Sequence, residues 1–351
     1  MGRLFFTVVF SALLLGRGFA AQPATREIFP LDELKPGQIG EVWTVFRGTE
    51  PEPFAVEVTG VVRNALGPGK SLILCQLTDP RVQLMGAVAG MSGSPLYIDG
   101  KLAGALSYQI QRFEPVRYAG FTPAADLVEV ETKMAAALAP SGESVAPATI
   151  NDSLRPMRPV FTLSGLSPAV ADLFAPRLAA LGLASTSLGG STSGSADSQS
   201  STPQAVAPLA PGSAVAVALA TGDITLAGTG TVSNVDGRNI TAFGHPMLSL
   251  GDVALPMVAA EIVTILPSNM QSVKVANTGR VIGTITQDRL SAVSGVLGDG
   301  PAMTEVEVIV SSSKGPSKTL HFSVARQEQL TPVLVATGVS QAILGSNDAG
   351  L

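Results

Sequence analysis

The hexapeptide Gly90-Met91-Ser92-Gly93-Ser94-Pro95 decides how the rest of this 351-residue chain is interpreted. It sets a serine among small residues and ends in a proline. A nucleophilic serine needs such a turn, because its hydroxyl must project while nearby backbone N–H groups face the oxyanion formed in acyl transfer. Ser, Gly and Pro are also common turn residues, so a plain turn between two strands remains the alternative. The rest of the chain must supply a base, an acid and a compatible fold.

The composition excludes several classes of protein. The chain is 46% hydrophobic and 14% charged, with 37 Gly and 25 Pro, which is typical of a globular protein rich in strands and turns. A net charge of −5 and only 5% aromatic residues argue against a nucleic-acid partner. The single cysteine, Cys75, lies in an apolar run and is interpreted as buried and inert. Two histidines are too few for a histidine-rich metal site, and no metal or cofactor is expected.

The N-terminus has the pattern of an export signal. A short positive start contains Arg3, an apolar run extends from Leu4 to Leu15, and small residues near Ala20 suit cleavage. We therefore expect residues 1–20 to be a cleaved signal peptide and the protein to be periplasmic or extracellular, with an uncleaved anchor as the alternative. No later segment has the length and apolarity of a transmembrane helix.

Short strands separated by turn signals dominate both halves of the chain and predict a β-sandwich or β-barrel. The region 139–211 differs, because it combines one predicted helix with a flexible stretch rich in Ser, Gly and Pro. We therefore divide the chain into a signal peptide (1–20), a first half (30–138), a helix-containing linker (139–211), a second half (212–300) and a C-terminal strand pair with a tail (301–351). An α/β-hydrolase is excluded, since Pro95 and a hairpin rather than a helix follow the serine.

His245 is the candidate general base. It lies between Gly244 and Pro246 at the end of a predicted strand, where a histidine has the exposure that proton transfer requires. His321 lies in the middle of a strand, on the polar side of an alternating pattern, and is interpreted as facing solvent.

Asp79 is the candidate orienting acid. It ends an apolar strand 13 residues before Ser92 (92 − 79 = 13), and a carboxylate there could hold the imidazole in one tautomer. Because Asp-Pro commonly begins a turn, a turn role is the alternative and is favoured on spacing alone. Other aspartates compete for the role, namely Asp99, Asp223, Asp236 and Asp252, of which Asp99 and Asp236 are better explained as hairpin turns.

Four stretches together resemble the sporulation stage-IV-B-type serine peptidases, which are distant relatives of trypsin-like enzymes. The stretches are Leu77 to Arg81, the hexapeptide with Leu96 to Ser107, Gly230 to His245, and Gly283 to Gly298. The resemblance implies that Ser92 is the nucleophile, His245 the base and Asp79 the acid. It also implies that the backbone N–H groups of Gly90 and Ser92 form the oxyanion hole. The strand containing Ser107 and Tyr108 would receive the substrate backbone by strand addition.

The chain departs from that family in the order of its parts. In the sporulation peptidase the histidine half precedes the serine half, whereas here the serine comes first, which we interpret as a circular permutation. A catalytic triad depends on geometry rather than on chain order, so the permutation does not exclude catalysis. We find no PDZ-like module before the serine half, so a recruiting device of that kind is not assumed.

The expected fold is mainly β, with two trypsin-like β-barrel halves and the active site in the cleft between them. The expected function is an exported serine endopeptidase that acts on a protein or peptide substrate, with its own linker (184–211) as one candidate substrate. The alternative is a non-catalytic envelope scaffold that binds extended peptides. The sequence does not predict an oligomeric state.

Overall fold

The computed structural model describes residues 27–110, 116–136, 154–157, 159–183, 185–187, 189–191, 208–268, 271–311 and 317–345. The predicted signal peptide (1–20) and residues 192–207 of the predicted linker lie outside the described residues. The described chain folds into two mainly antiparallel sheets, and in each of them the strand pairings close into a ring of six strands. The short strands β9 and β10 of the second sheet pair in parallel. The prediction of a mainly β fold with two barrel halves is confirmed.

The first barrel contains the serine hexapeptide. Its strands are β1 (Ile39–Thr44), β2 (Glu52–Gly67), β3 (Lys70–Leu77), β4 (Pro95–Ile98), β5 (Lys101–Ile110) and β6 (Tyr118–Pro123). They pair in the order β4-β1-β2-β3-β6-β5, and the pairing of β5 with β4 closes the ring. A seventh strand, β7 (Leu154–Pro156), pairs with β5 from outside this ring.

Local sequence explains the elements of the first barrel. In β2, Val56 and Val58 are fully buried while Glu57 between them is not, as expected for alternate side chains on the two faces of a strand. The Asp99-Gly100 turn joins β4 to β5, and both residues have positive φ angles, 49° and 76°. Those angles fit the type I′ turn that tight hairpins favour.

The second barrel contains the histidine segment. Its ring consists of β11 (Ala214–Gly222), β12 (Thr225–Asp236), β13 (Asn239–Ala242), β14 (Gly251–Leu266), β15 (Val273–Arg289) and β16 (Ala292–Leu297), closed by the pairing of β11 with β12. Five further strands extend this sheet: β8 (Val160–Ser164), β9 (Ser185–Ser187), β10 (Gly189–Ser191), β17 (Met303–Val310) and β18 (Lys318–Ala325). Strand β8 lies within the region predicted as a linker, yet it pairs with β12.

Four α-helices occur in the described ranges: α1 (Pro80–Met85), α2 (Ala124–Ala136), α3 (Pro168–Ala180) and α4 (Thr331–Leu344). Helix α3 is the predicted helix of the linker region, and α4 occurs in the segment predicted as a tail. Helix α2 connects the barrels, because Glu131 accepts hydrogen bonds from Thr241 (2.5 Å) and Asn234 (3.0 Å) of the second barrel. Among the helices of these ranges, we find none with the length and apolarity needed to cross a membrane.

Candidate active site

The serine hexapeptide forms a tight, fully buried turn between α1 and β4. Gly90 and Gly93 have φ angles of +96° and +95°, a region that L-residues with a side chain rarely adopt. The amide of Ser94 donates to the Met91 carbonyl (2.9 Å), and the amide of Gly93 donates to the Leu106 carbonyl of β5 (2.7 Å). These bonds hold the serine between the two glycines.

The N–H groups of Gly90 and Ser92 differ from those of their neighbours in the turn. Within the part of the chain that the structure describes, neither of them donates to a backbone carbonyl, whereas the amides of Met91, Gly93 and Ser94 do. An oxyanion hole requires such uncommitted, fixed donors. The two predicted oxyanion donors are therefore available for that role.

The serine turn is bonded directly to the second barrel. The Thr231 amide donates to the carbonyl of Ser92 (2.8 Å), and its hydroxyl donates to the carbonyl of Gly90 (3.0 Å). The Ser233 hydroxyl donates to the carbonyl of Gly93 (2.8 Å). Both donors belong to β12, so one strand of the second barrel supports the whole turn.

The histidine segment begins where β13 ends and contacts the same part of β5 as the serine turn. Gly244 has a φ angle of +67°, and its carbonyl accepts a hydrogen bond from the Thr122 hydroxyl of β6 (2.7 Å). A Cβ atom on Gly244 would lie 3.1 Å from the Leu106 carbonyl oxygen, which is the acceptor for Gly93. The structure therefore brings the serine and histidine segments together, although 153 residues separate Ser92 from His245 (245 − 92 = 153).

The environment of His245 defines its protonation state. The residue is buried, so the exposure predicted from its position at a strand end is wrong. Burial lowers its pKa from 6.5 to about 4, even though the hydrogen bond to the Pro246 carbonyl acts in the opposite direction. Nδ1 lies 2.7 Å from that carbonyl oxygen, which can only accept, so Nδ1 carries the proton. At neutral pH the imidazole is therefore uncharged, and Nε2 has a free lone pair.

Ser92 Oγ and His245 Nε2 are both buried without a hydrogen-bond partner among the described residues. Most buried polar atoms are paired, and an unpaired one calls for an explanation. Five other side-chain atoms of the described chain share this state. One is a tryptophan nitrogen in the first barrel, and the others are hydroxyls of three threonines and a serine in the second sheet. Only Ser92 and His245 combine a hydroxyl in a nucleophile-type turn with a neutral base on an adjoining segment.

The carboxylate of Asp79 accepts hydrogen bonds from Arg81 rather than from His245. It caps α1: Oδ1 accepts from the backbone N (2.9 Å) and Nε (3.1 Å) of Arg81, and Oδ2 accepts from its guanidinium (3.0 Å). Partial burial raises the pKa of Asp79, but the hydrogen bonds from Arg81 outweigh it and hold the pKa below 3.8. The structure thus shows Asp79 in the turn role that the Asp-Pro pattern also allowed. The hydrogen-bond partner of His245 Nδ1 is the carbonyl of Pro246 instead.

Asp288 of β15 supports the histidine segment and was not singled out from the sequence. Its Oδ1 accepts from the Met247 amide (2.7 Å), and its Oδ2 accepts from the Leu248 (2.8 Å) and Leu250 (3.2 Å) amides. Burial raises the pKa of Asp288, opposed by these backbone hydrogen bonds. The available signal was its position inside the stretch from Gly283 to Gly298 that resembles the peptidase family.

Lys274 of β15 also lies beside the serine turn, and the sequence did not single it out. Its side chain is buried, and Nζ donates to the Thr44 hydroxyl of the first barrel (2.8 Å). Its stem lies under the serine turn, since a Cβ atom on Gly90 would be 3.0 Å from the Lys274 Cβ. Burial lowers the pKa of Lys274 from 10.5 to about 7.

Ser107 and Tyr108 of the predicted substrate strand are both buried. The Ser107 hydroxyl accepts from the Thr122 amide (2.9 Å) and lies 2.8 Å from the Thr122 hydroxyl, which connects it to the Gly244 carbonyl. Burial raises the pKa of Tyr108 to about 12. Ser107 therefore lies on the part of β5 that contacts the histidine segment, and Tyr108 is the next residue of that strand.

The remaining two candidates agree with their sequence interpretation. Cys75 is buried, and burial raises the pKa of its thiol, so it is not a thiolate nucleophile. The side chain of His321 is 65% exposed, with Nε2 3.8 Å from a Glu307 oxygen on the neighbouring strand.

Comparison with known families agrees with the serine half of this site. Residues 20–117 match the family model described as SpoIVB peptidase S55, a range that contains Asp79, Ser92, Ser107 and Tyr108. His245 lies outside the matched range, so the circular permutation stays a prediction. Comparison with curated proteins and with solved structures gives no match.

Proposed function

We propose that this serine peptidase, whose residues 20–117 match the SpoIVB peptidase family model, is an exported endopeptidase. In this proposal Ser92 is the nucleophile and His245 is the general base. The observation that carries it is the pair of buried, unpartnered atoms, Ser92 Oγ and His245 Nε2, on two segments that meet at the Leu106 carbonyl.

The acylation step uses groups that are already in a suitable state. His245 Nε2 accepts the proton of Ser92 Oγ as that oxygen attacks the peptide carbonyl. The negative charge that develops on the carbonyl oxygen is stabilised by the N–H groups of Gly90 and Ser92. His245 then gives its proton to the leaving amine, and the amine departs from the acyl-enzyme. Water, deprotonated by His245, attacks the acyl carbonyl, and His245 returns the proton to Ser92 Oγ as the ester bond breaks and the acid product leaves.

The orienting role that the sequence assigned to Asp79 falls to the Pro246 carbonyl in this proposal. That carbonyl accepts the Nδ1 proton of His245, which fixes the tautomer with Nε2 as the base. Asp79 then contributes by capping α1, the helix that leads into the serine turn. Such an arrangement works as a Ser-His pair supported by a backbone acceptor.

Export is supported by the N-terminal pattern of a positive start and an apolar run from Leu4 to Leu15.

Processing of the protein's own linker between residues 184 and 211 is a further part of the proposal, motivated by a Ser- and Gly-rich stretch that suits protease access. Mass spectrometry of the purified wild type and Ser92→Ala proteins tests it. Fragments that begin within 184–211 in the wild type alone would support self-processing, and identical masses would contradict it.

A fluorophosphonate probe tests the catalytic proposal directly. We expect covalent labelling at Ser92 in the wild type, loss of labelling in Ser92→Ala, and loss of labelling in His245→Gln. The His321→Gln variant is the matched control, because it removes the other, exposed histidine. Absence of labelling in folded wild-type protein, or unchanged cleavage of casein by Ser92→Ala, would contradict the proposal and favour a peptide-binding scaffold.

A further inference from the structure

The edge of β5 that would receive a substrate is occupied by the chain itself. Strand β7 pairs with β5 antiparallel, with Pro156 opposite Tyr108, Arg155 opposite Gln109 and Leu154 opposite Ile110. The next residue, Met157, donates its amide to the carbonyl of Ser107 (2.8 Å). This is the hydrogen-bonding pattern by which an extended peptide adds to a sheet edge.

The side chain of Met157 is buried in the apolar core of the first barrel. It is only 1% exposed and belongs to the buried apolar cluster of the first barrel, which also contains Val88, Met91 and Leu106. Met91 directly precedes Ser92, and the Leu106 carbonyl binds the amide of Gly93. The peptide residue beside Ser107 therefore has its side chain in the same apolar cluster as Met91, the residue before Ser92.

We propose that Leu154–Met157 occupies the substrate-binding edge as an internal peptide, and that the substrate is an extended peptide with a large, flexible apolar residue, such as methionine, at the position of Met157. This inference rests on the proposed function. It adds the preferred substrate residue and the reason why the site is closed. Because β7 already pairs with this part of β5, a substrate must displace it first. Ser92 is 0% exposed and His245 is 1% exposed in this arrangement.

Because the internal peptide is part of the same chain, even a short segment can compete with free peptides for the edge of β5. A segment attached to the same chain has a high effective concentration at its site, so a free peptide of equal affinity binds poorly against it. Weakening the docking of Met157 should therefore open the edge to free peptides. It should also increase the rate at which small reagents reach Ser92.

Peptide binding tests the inference without requiring catalysis. The probe is a fluorescein-labelled Leu-Arg-Pro-Met peptide, and the proteins are Ser92→Ala and the double variant Ser92→Ala/Met157→Ala, followed by fluorescence anisotropy. We expect binding at least about ten-fold tighter to the double variant, and about ten-fold weaker binding when aspartate replaces the peptide's methionine. Equal binding to both proteins, or no dependence on the methionine, would overturn the inference.

A control variant separates displacement of β7 from general loosening of the core. Val56→Ala shortens another fully buried residue of the same cluster, on β2, far along the ring from β7. It should leave peptide binding unchanged when combined with Ser92→Ala, and circular dichroism checks that each protein is folded. Should Met157→Ala unfold the protein, Met157→Leu keeps the volume and should keep the edge closed, whereas Met157→Gln keeps the length and should open it. Tight peptide binding by both of these variants, or by neither of them, would contradict the inference.

Fluorophosphonate labelling then distinguishes this inference from the proposed function. In proteins that retain Ser92, Met157→Ala should be labelled several-fold faster than the wild type. Peptide binding without labelling of either protein would leave the inference standing and contradict the peptidase proposal. Equal labelling rates of the two proteins, together with no peptide binding, would contradict the inference and leave the peptidase proposal standing.

Discussion

Gly93 and Phe243 meet backbone to backbone: a Cβ atom on Gly93 would lie 2.4 Å from the Phe243 nitrogen and 2.0 Å from the Thr231 carbonyl oxygen. Gly93 follows Ser92, the proposed nucleophile, and Phe243 lies two residues before His245, the proposed base. One glycine therefore sets the distance between the two turns of the site. Backbone atoms cannot move aside as a flexible side chain can.

Replacement of Gly93 by alanine should be far more damaging than the same change at a glycine in open space. Gly100 is the matched control, because it also has a positive φ angle (+76°) but has no atom within 4 Å of the position of a Cβ. We expect Gly100→Ala to cost about 1 kcal/mol of unfolding free energy, and Gly93→Ala to cost about 2 kcal/mol more. Urea denaturation measures both, and equal losses would show that the contact with Phe243 is dispensable.

The burial of His245 predicts a specific dependence of stability on pH. The unfolded chain protonates this imidazole near pH 6.5, whereas the folded protein does so only near pH 4. Between these values the unfolded state binds more protons, so the unfolding free energy falls as the pH falls, by about 3 kcal/mol in total. The wild type should lose this amount relative to His245→Gln between pH 7 and pH 4 in urea titrations. Parallel pH profiles of the two proteins would contradict the assignment.

The Asp79→Ala substitution should reduce stability rather than catalysis. It removes the cap of α1 and the partner of Arg81, so we expect a loss of about 1 kcal/mol in unfolding free energy. The rate of fluorophosphonate labelling at Ser92 should change only a few-fold, because the carboxylate does not bond to His245. A loss of labelling as large as the roughly 10⁴-fold effect of removing a triad aspartate would restore the catalytic role predicted from the sequence.

The Asp288→Asn substitution should reduce catalysis through the position of His245. Asparagine retains one acceptor oxygen but places an NH₂ group against backbone amides that Asp288 now binds with both oxygens. We expect kcat to fall about ten-fold or more with little change in KM, since a small misplacement of a catalytic group is costly. Asp252→Asn is the control, because it alters a partly exposed ion pair with Arg289. A change confined to KM would argue against a positioning role.

Lys274 should make the protein more stable as the pH rises above neutrality. The unfolded lysine keeps its proton up to about pH 10.5, whereas the folded one loses it near pH 7. Over that interval the unfolded state binds more protons, so the unfolding free energy increases with pH. The Lys274→Met variant should lack this increase, whereas Lys101→Met, at a partly exposed site, should retain it. Denaturant titrations at pH 7 and pH 9 provide the measurement.

Local signals predicted the elements of the fold well. Alternating apolar residues and turn pairs such as Asp99-Gly100 act within a few residues, so the strands around Val56 and the hairpin of β4 and β5 could be recognised in the chain. Helix α4 was missed, because its sequence contains β-branched residues and Gly338, which do not favour a helix in isolation. It is stabilised by packing, with Leu334 and Gly338 buried and Gly338 against the ring of Phe322.

By itself, the sequence determined the serine turn, the histidine candidate and the mainly β class, because these depend on residue types at short spacing. Only the tertiary structure decided which groups surround them. The carboxylate of Asp79 bonds to Arg81. Asp288 bonds to the segment after His245 and Lys274 packs beside Gly90, although both belong to β15, a strand far along the chain from the serine turn. Hydrogen-bond partners and burial arise when distant segments meet in three dimensions, and no local pattern of residues records which segments those will be.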